Sequence, residues 1–445
     1  MTANPAAKSA AIVKEPHMSS ILTNNGAMVA LQTMKSINKN MASVQNEIST
    51  GKSVSTAKEN AAVWAISKTM ESDVKGFAGI SDSLSLGSST IAVARSASEQ
   101  ITDLLTEIKG KIVASQEANV DRTKIQADVS ALRDQIGSIV GAAQFNGLNL
   151  LSNRQGGATV TQIVGNTGAG AGILNSSQVD ILSSLDRSSG GVKSSNISVA
   201  KADLGTQARV AGGGTDLAGA AVTGAGAIAA GLSGTISIVG DTATAARGGN
   251  KVLAGDTYAI AGFAGITNAI SYVARDGDST TDIAKGLVDR LNFEAKKAGV
   301  SVSAELDTTG ANPGVKITNG TTASITTTTT TASGGTAGGG LELLRDIDVS
   351  TGAGAEAALS AIEGLTQTAI QAAADFGTSQ SRIEVQKDFV SNLVDSLKSG
   401  IGSMVDADME ETSARLQALQ VQQQLATQSL SIANQAPQNI LSLFR

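Results

Sequence analysis

At 445 residues the chain exceeds the roughly 250–300 residues over which a single core keeps growing, so more than one packing unit is expected. A net charge of −6 with no long run of either sign leaves no basic stripe for a nucleic-acid backbone, and the absence of cysteine excludes disulfides, thiolate nucleophiles and cysteine-ligated metals. Aromatic residues make up only 2% and charged residues 16%; a chain this poor in rings buries little area per residue, so its stability must come from long, repetitive contacts.

The start of the chain carries Lys8 and Lys14, but its longest apolar run is Ala10-Ala11-Ile12-Val13, well short of the ~7–15 residues of a secretory core. Nothing later reaches the roughly 18 consecutive apolar residues of a membrane span, so no membrane insertion is expected. His17, the only histidine, reads as a solvated bystander.

From Ala27 onward apolar residues recur at 3,4 spacing: Ala27, Ala30, Met34, Ile37, Met41, Val44 and Ile48. This is a heptad seam, which predicts a helix lying along other helices. Gly51 interrupts it, and Thr56-Ala57-Lys58-Glu59 reads as a capping box opening the next helix, which continues through Val63, Ile66 and Met70 and on past Leu84 and Ile91. Ile101, Leu105, Ile108 and Ile112 extend the seam; after a polar break near Asn119 and Asp121, Ile125, Val129, Leu132, Ile136 and Ile139 repeat it, predicting a helical hairpin. Gly141 and Asn146-Gly147 close the helical stretch.

Between about residues 155 and 340 the texture turns to Gly, Thr, Ser and Ala with short alternating strands, as at residues 235–239, 269–274 and 300–304. One helix is visible there, opening at Ser279-Thr280-Thr281-Asp282 and carrying Ile283, Leu287 and Leu291, so this region reads as a small α+β domain. Residues 326–331 and 334–340, nearly all Thr and Gly, are expected to form a flexible exit linker. Helical periodicity then resumes at Leu359, Ile362, Ile370, Val390, Leu393, Leu397 and Met404, and ends in a 3,4 series of Leu416, Leu419, Gln423, Ala426, Leu430, Ala433, Pro437, Ile440 and Phe444. Both chain ends thus carry the same seam, and such seams satisfy themselves by pairing. The fold class expected is mainly α: a long antiparallel helical coiled coil or bundle built from both chain ends, with an inserted small α+β central domain.

Chemistry finds little footing. Ser49-Thr50-Gly51-Lys52-Ser53 has the tail of a phosphate loop, but Asn46 stands where that motif needs its first glycine, and a helix rather than a strand precedes it. Gly165, Gly168, Gly170 and Gly172 miss the dinucleotide spacing at Ile173, and Asp276, Asp278 and Asp282 lack the loop and closing glutamate of a calcium site. One histidine and no cysteine assemble no nucleophilic triad. No enzyme activity, cofactor or metal is expected. The arms carry Gln, Ser, Asn and Ala rather than the basic face of a membrane-surface helix, which favours assembly with identical neighbours.

Particular residues sharpen this. Residues 49–62, Ser-Thr-Gly-Lys-Ser-Val-Ser-Thr-Ala-Lys-Glu-Asn-Ala-Ala, resemble the N-terminal signature of bacterial flagellins; Gln144-Phe145-Asn146-Gly147-Leu148-Asn149-Leu150-Leu151 resembles the turn after the family's second long helix. Asp406-Ala407-Asp408 and residues 433–443, from Ala433-Asn434-Gln435 to Leu443, resemble its C-terminal signature, and Trp64 with the terminal Leu443-Phe444-Arg445 is most similar to alphaproteobacterial members. The resemblance implies a filament subunit for swimming motility, exported unfolded through the flagellar type III apparatus to an extracellular flagellum. Its implied partners are many copies of itself in a homopolymer, filament cap and hook-associated proteins, and an export chaperone at the C-terminal arm.

The same resemblance implies a division of the chain. Family members usually begin near the position of Met18, so residues 1–17 are expected to be a disordered extension or a misassigned start; 18–55 and 404–445 are expected to be the arms of an inner-tube domain, 56–200 and 341–403 an outer-tube helical domain, and 201–340 an exposed variable domain. The subunit-interface residues expected on the inner arms are Met34, Ile37, Met41, Val44, Ile48, Leu416, Leu419, Ala426, Leu430, Ala433, Ile440 and Phe444. Two other readings stand beside it: a hook–filament junction protein, and a cell-surface glycan-binding module whose only aromatic stacking candidates are Tyr258, Phe263 and Tyr272.

Overall fold

The structure, a computed structural model, describes residues 24–152, 178–188, 191–214, 222–223, 226–240 and 252–443. The expected extension at 1–17, with His17, and the glycines at 165–172 lie outside the described residues, as do the side chains of Ile440 and Phe444. The chain divides into two compact units, residues 1–76 with 392–445, and residues 77–391.

The first unit holds α1 (Asn25–Thr50), the start of α2 (Ala61–Ala114), the end of α5 (Gly352–Val405) and α6 (Met409–Leu443). Asn24 caps α1 by accepting from the Ala27 amide, and Gly51 ends it in the left-handed conformation at φ 69°, where a side chain would be strained. The chain then turns directly against the α5–α6 junction: Ser53 N donates to Val405 O at 2.7 Å and Ala407 N to Gly51 O at 3.0 Å.

The expected capping box at Thr56 forms only in part. The Glu59 carboxylate reaches back to the Ser55 and Thr56 amides at 2.6 and 3.0 Å, but the Glu59 amide bonds to the Thr56 carbonyl rather than its hydroxyl. This builds an isolated turn, and α2 begins at Ala61 with Asn60 as its cap, accepting from Val63 N at 3.2 Å.

In the second unit, α2 buries Ile80, Leu84, Ile91, Ala94, Ile101, Leu105, Ile108 and Ile112, and α5 buries Ala355, Ile362, Leu365, Ala369, Ala372, Phe376, Ile383 and Val390, each at 3,4 or heptad spacing. The pairs Arg95–Gln380 and Lys109–Glu363 fix the two helices antiparallel. The expected hairpin is present: α3 (Arg122–Ala142) folds back on α2, with Arg122 capping the Ser115 carbonyl and Lys111 paired to Asp128 at 2.7 Å. Asn146 and Gly147 join the two-residue strands β1 (Gln144–Phe145) and β2 (Leu148–Asn149).

A long antiparallel hairpin, β3 (Gln178–Ser188) with β4 (Gly191–Ala200), follows. The inserted α+β region contains β5 (Val222–Thr223), β6 (Ala227–Ile228), β7 (Ser233–Ile238), β8 (Thr257–Ala261), β9 (Ile270–Val273), α4 (Thr280–Lys297), β10 (Val302–Asp307), β11 (Gly314–Asn319), β12 (Ile325–Thr326) and β13 (Thr328–Ala332). The larger sheets have strand orders β10-β11-β7-β5 and β13-β8-β9, and α4 packs its apolar face of Ile283, Leu287 and Leu291 against them. Ser279 and Asp282 form a complete capping box at the start of α4, where the sequence placed the helix.

The exit segment departs from expectation. Residues 325–332 are not a flexible linker but strands: β13 pairs along β8 from Thr328↔Ala261 to Ala332↔Thr257. Threonine is a good strand former, and here Thr331 is buried while Thr328 and Thr330 face outward, so a run that looks low in complexity satisfies period-2 burial. The glycines beyond it are held by backbone packing instead: Gly339 N donates to Gln207 O at 2.9 Å.

Candidate assembly surface

The two terminal helices lie antiparallel, with Asn24 Nδ2 donating to Ala433 O at 2.8 Å near one end, Gln423 bonded to Asn38 at 2.9 Å midway, and Lys52 bridged to Asp406 at the other. Between these marks Ile37, Val44, Leu419 and Ala426 form a buried cluster, with Met34, Met41, Ile48 and Leu416 packed half-buried around it. Leu430 and Ala433 continue the seam, half-buried, towards Asn24. The structure therefore brings ten of the twelve sequence-predicted arm residues onto one line within a single chain; Ile440 and Phe444 lie beyond the described side chains.

Periodicity did not bring out the face that looks away from this seam. On α6, Val421, Leu425 and Ile432 are 55%, 58% and 69% exposed, and on α1, Met28, Val29 and Leu31 are 58%, 63% and 45% exposed. Positions 421, 425 and 432 stand four and seven apart, so they line one stripe of the helix opposite the buried set. That stripe was readable as a second apolar series offset from the first, but the stronger heptad masked it. A lone exposed leucine means little; an apolar stripe on α6, beside the exposed apolar residues Met28, Val29 and Leu31 around the first turns of α1, marks an interaction surface.

The turn that joins the arms to α2 is electrostatically set. Glu71 accepts from Lys68 at 2.7 Å and from Lys52 at 3.5 Å, and the Lys68 hydrogen bond holds its carboxyl below the usual range. Glu59 is likewise held low, first by the Thr56 amide and then by that of Ser55.

The remaining chemical candidates are occupied structurally. Ser49 and Thr50 are the last residues of α1, where unpaired carbonyls rather than amides face outward, the wrong polarity for a phosphate. Asp278 accepts from the Tyr272 hydroxyl at 2.7 Å and the Arg275 amide at 2.8 Å, and Asp282 caps α4. Burial nevertheless pushes the Asp278 carboxyl up, against the pull of Arg275. Tyr258 and Phe263 are buried in the inserted domain's core, and Tyr272 lies against it under the Arg275 guanidinium, 5.5 Å from its ring centroid. Among the described residues no group of three or more His, Asp or Glu side chains is placed to hold a metal, and no helix is long and apolar enough to cross a membrane.

Comparison with known proteins agrees with this architecture. The family model for the bacterial flagellin N-terminal helical region matches residues 21–156, and that for the bacterial flagellin C-terminal helical region matches residues 359–444. Flagellin A of Rhizobium meliloti is 35% identical over 442 residues, covering 96% of this chain and all of the relative. Flagellin B of the same organism is equally similar, at 35% over 442 residues, and a Brucella melitensis flagellin is 29% identical over 429 residues.

Proposed function

This chain belongs to the bacterial flagellin family and is a structural subunit of the extracellular flagellar filament, and from that premise we propose how its parts divide the work of assembly. Residues 18–55 and 404–445 form the inner tube, 56–200 and 341–403 the outer tube, and 201–340 the exposed domain. Met34, Ile37, Met41, Val44, Ile48, Leu416, Leu419, Ala426, Leu430 and Ala433 shape the subunit interface from within by holding the arm pair together; Ile440 and Phe444 extend it. The outward stripe of Val421, Leu425 and Ile432, with Met28, Val29 and Leu31, then docks on neighbouring copies.

The observation that carries this reading is the exposure of those six apolar side chains on helices whose inner seam is already satisfied. A surface of this kind lowers its free energy by burial, at about 25 cal/mol per Å² of apolar area, and each helix end supplies only a small area per copy. Many weak, repeated contacts therefore suit it better than one tight partner.

The chain is exported unfolded through the type III apparatus, with a chaperone covering the C-terminal arm until the filament cap admits it behind the hook-associated proteins. The absence of cysteine suits such passage, since no premature disulfide can form. The test is seeded polymerisation of the purified chain followed by electron microscopy. Long filaments are expected from the native chain and none from the triple variant V421Q/L425Q/I432Q, with its arm helicity preserved. Filaments of normal length from the variant would sink the assignment of the stripe; short rings from the native chain would favour a junction role instead.

A further inference from the structure

The inserted α+β domain closes its own core, and every residue of that core cluster lies between Ile228 and Ile325. No residue of α2, α3 or α5 joins it. The domain is reached through a neck of two antiparallel segments: Val210 and Thr336 exchange both backbone hydrogen bonds at 2.8 Å, and Leu341 N donates to Gly205 O at 3.0 Å. The segments touch so closely that a Cβ on Gly339 would lie 1.8 Å from Gly205 O. On the helical side the neck is tied by Ala202 N to Leu150 O at 2.9 Å, Leu204 N to Leu151 O at 3.1 Å, and Val349 N to the Gln126 side chain at 2.8 Å. The neck's apolar residues Leu204, Leu341 and Leu344 are buried, but none belongs to the inserted domain's core cluster.

On the domain side the connection is ionic. Arg209, within the neck, donates to the Ser271 hydroxyl at 2.8 Å, to Ala269 O at 3.0 Å and to Glu342 at 2.6 Å. Arg275, just past β9, donates to Gly338 O at 3.0 Å and stands 3.6 Å from Asp203. Arg290, on α4, contacts Asp346 at 2.6 Å and lies 3.6 Å from Glu294. The side chains of Arg209 and Arg290 are only 12% and 10% exposed, so these charges are mutually committed rather than solvated. Beside them a cavity of about 740 Å³ separates α4 from α5, lined by polar groups such as Lys285, Asp289, Gln371 and Asp375.

We propose that Arg209, Arg275 and Arg290 form an orienting clamp: they grip the incoming and outgoing segments of the neck and set the angle of the inserted domain on the helices, and their release turns the neck into a hinge over the polar cavity. The directional hydrogen bonds of the Arg209 and Arg275 guanidinium groups, together with the ion pair of the buried Arg290 with Asp346, define one orientation in a way that a greasy interface of the same size does not. The cavity supplies the room in which a released domain moves. The inference concerns the folded subunit, and it depends on the filament reading only for where the domain is displayed.

Hydrogen–deuterium exchange on the full-length monomer tests it. In R209M the amides of Val210, Thr336, Gly339 and Leu341 are expected to exchange on the order of a hundredfold faster, while those of β11 and the middle of α4 keep their native protection. R290M should act on the same amides through the other side of the clamp, and K316M, at an exposed pair with Glu305, should change none of them. Unchanged neck protection in R209M and R290M would overturn the clamp, and so would equal loss of protection in neck and core, which would make the arginines part of the domain's general stability. Seeded assembly, measured separately, reports on the filament reading alone: variants with a loosened neck that still polymerise keep both inferences, and loosened variants of a chain that never polymerises keep only this one.

Discussion

The paired arms and the inserted domain are both held by apolar burial, yet they close it differently. Among the described residues of α1 and α6 the buried apolar side chains are only Ala30, Ile37, Val44, Leu419 and Ala426, with flanking residues half-covered. In the inserted domain 18 of the described residues join one buried apolar cluster, because a helix lies across two sheets and each layer covers the other. Two helices have a line of contact and no second layer, so their outward faces remain unpaid for until other chains arrive. The domain needs no partner to be folded; the arms need partners to be covered.

The largest test of that contrast is a cavity in the self-contained core. Leu287 is fully buried on α4, and L287A is expected to cost about 2–5 kcal/mol, lowering the inserted domain's thermal transition while the α1–α6 helices keep their exchange protection. Equal loss in the arms would break the comparison by showing one cooperative unit. Next, D278A leaves the Tyr272 hydroxyl and Arg275 amide without their acceptor and should destabilise the domain by about 1–3 kcal/mol in denaturant melts. D278N keeps an acceptor oxygen and removes a charge that burial disfavours, so it should be at least as stable as the native chain at neutral pH. A smaller effect is expected at the seam: I37V should cost about 0.5–1.5 kcal/mol of arm stability, at the low end of that range if the exposed seam relaxes to fill the gap, and leave the domain's transition untouched.

Much of the helical part was legible because its signal is repetitive. The heptad positions from Met34 to Ile48 and from Leu416 to Ala433 each recur often enough for one periodicity to outweigh local propensity, and the pairing of like seams gives the antiparallel arrangement. The α4 capping box was equally local: two residues three apart determine it. What escaped was non-local. The threonines of β13 are ordered only because β8 lies beside them, and the proposed clamp joins Arg209 to Glu342, Arg275 to Asp203 and Arg290 to Asp346 across more than fifty residues, a pattern with no period to detect. The exposed stripe of Val421, Leu425 and Ile432 was hidden for another reason: apolar residues off a seam look like noise until the helix's buried face is known.

The two regions should also respond to acid with opposite sign, and this is the smallest effect expected. Asp278, in the inserted domain, has a carboxyl whose pKa burial raises in the folded state. Its folded form holds the proton more tightly than the unfolded chain does, so its contribution to stability is present below the ordinary aspartate range and is lost as pH rises through the raised value. The advantage of D278N over the native chain should therefore be greatest at neutral pH and vanish in acid. Glu59, in the turn leading from the arms, is held low by the Thr56 and Ser55 amides. Its contribution is present above the ordinary glutamate range and is lost as pH falls through the depressed folded value. Exchange protection of the Ser55 and Thr56 amides should accordingly persist from neutral pH down through the ordinary glutamate range and then drop, and in E59Q it should be weaker at neutral pH but flat through the same titration. Since exchange itself slows in acid, the comparison is native against E59Q at each pH, and a native-to-variant ratio that stays constant across the titration would remove Glu59 as the group that holds the turn.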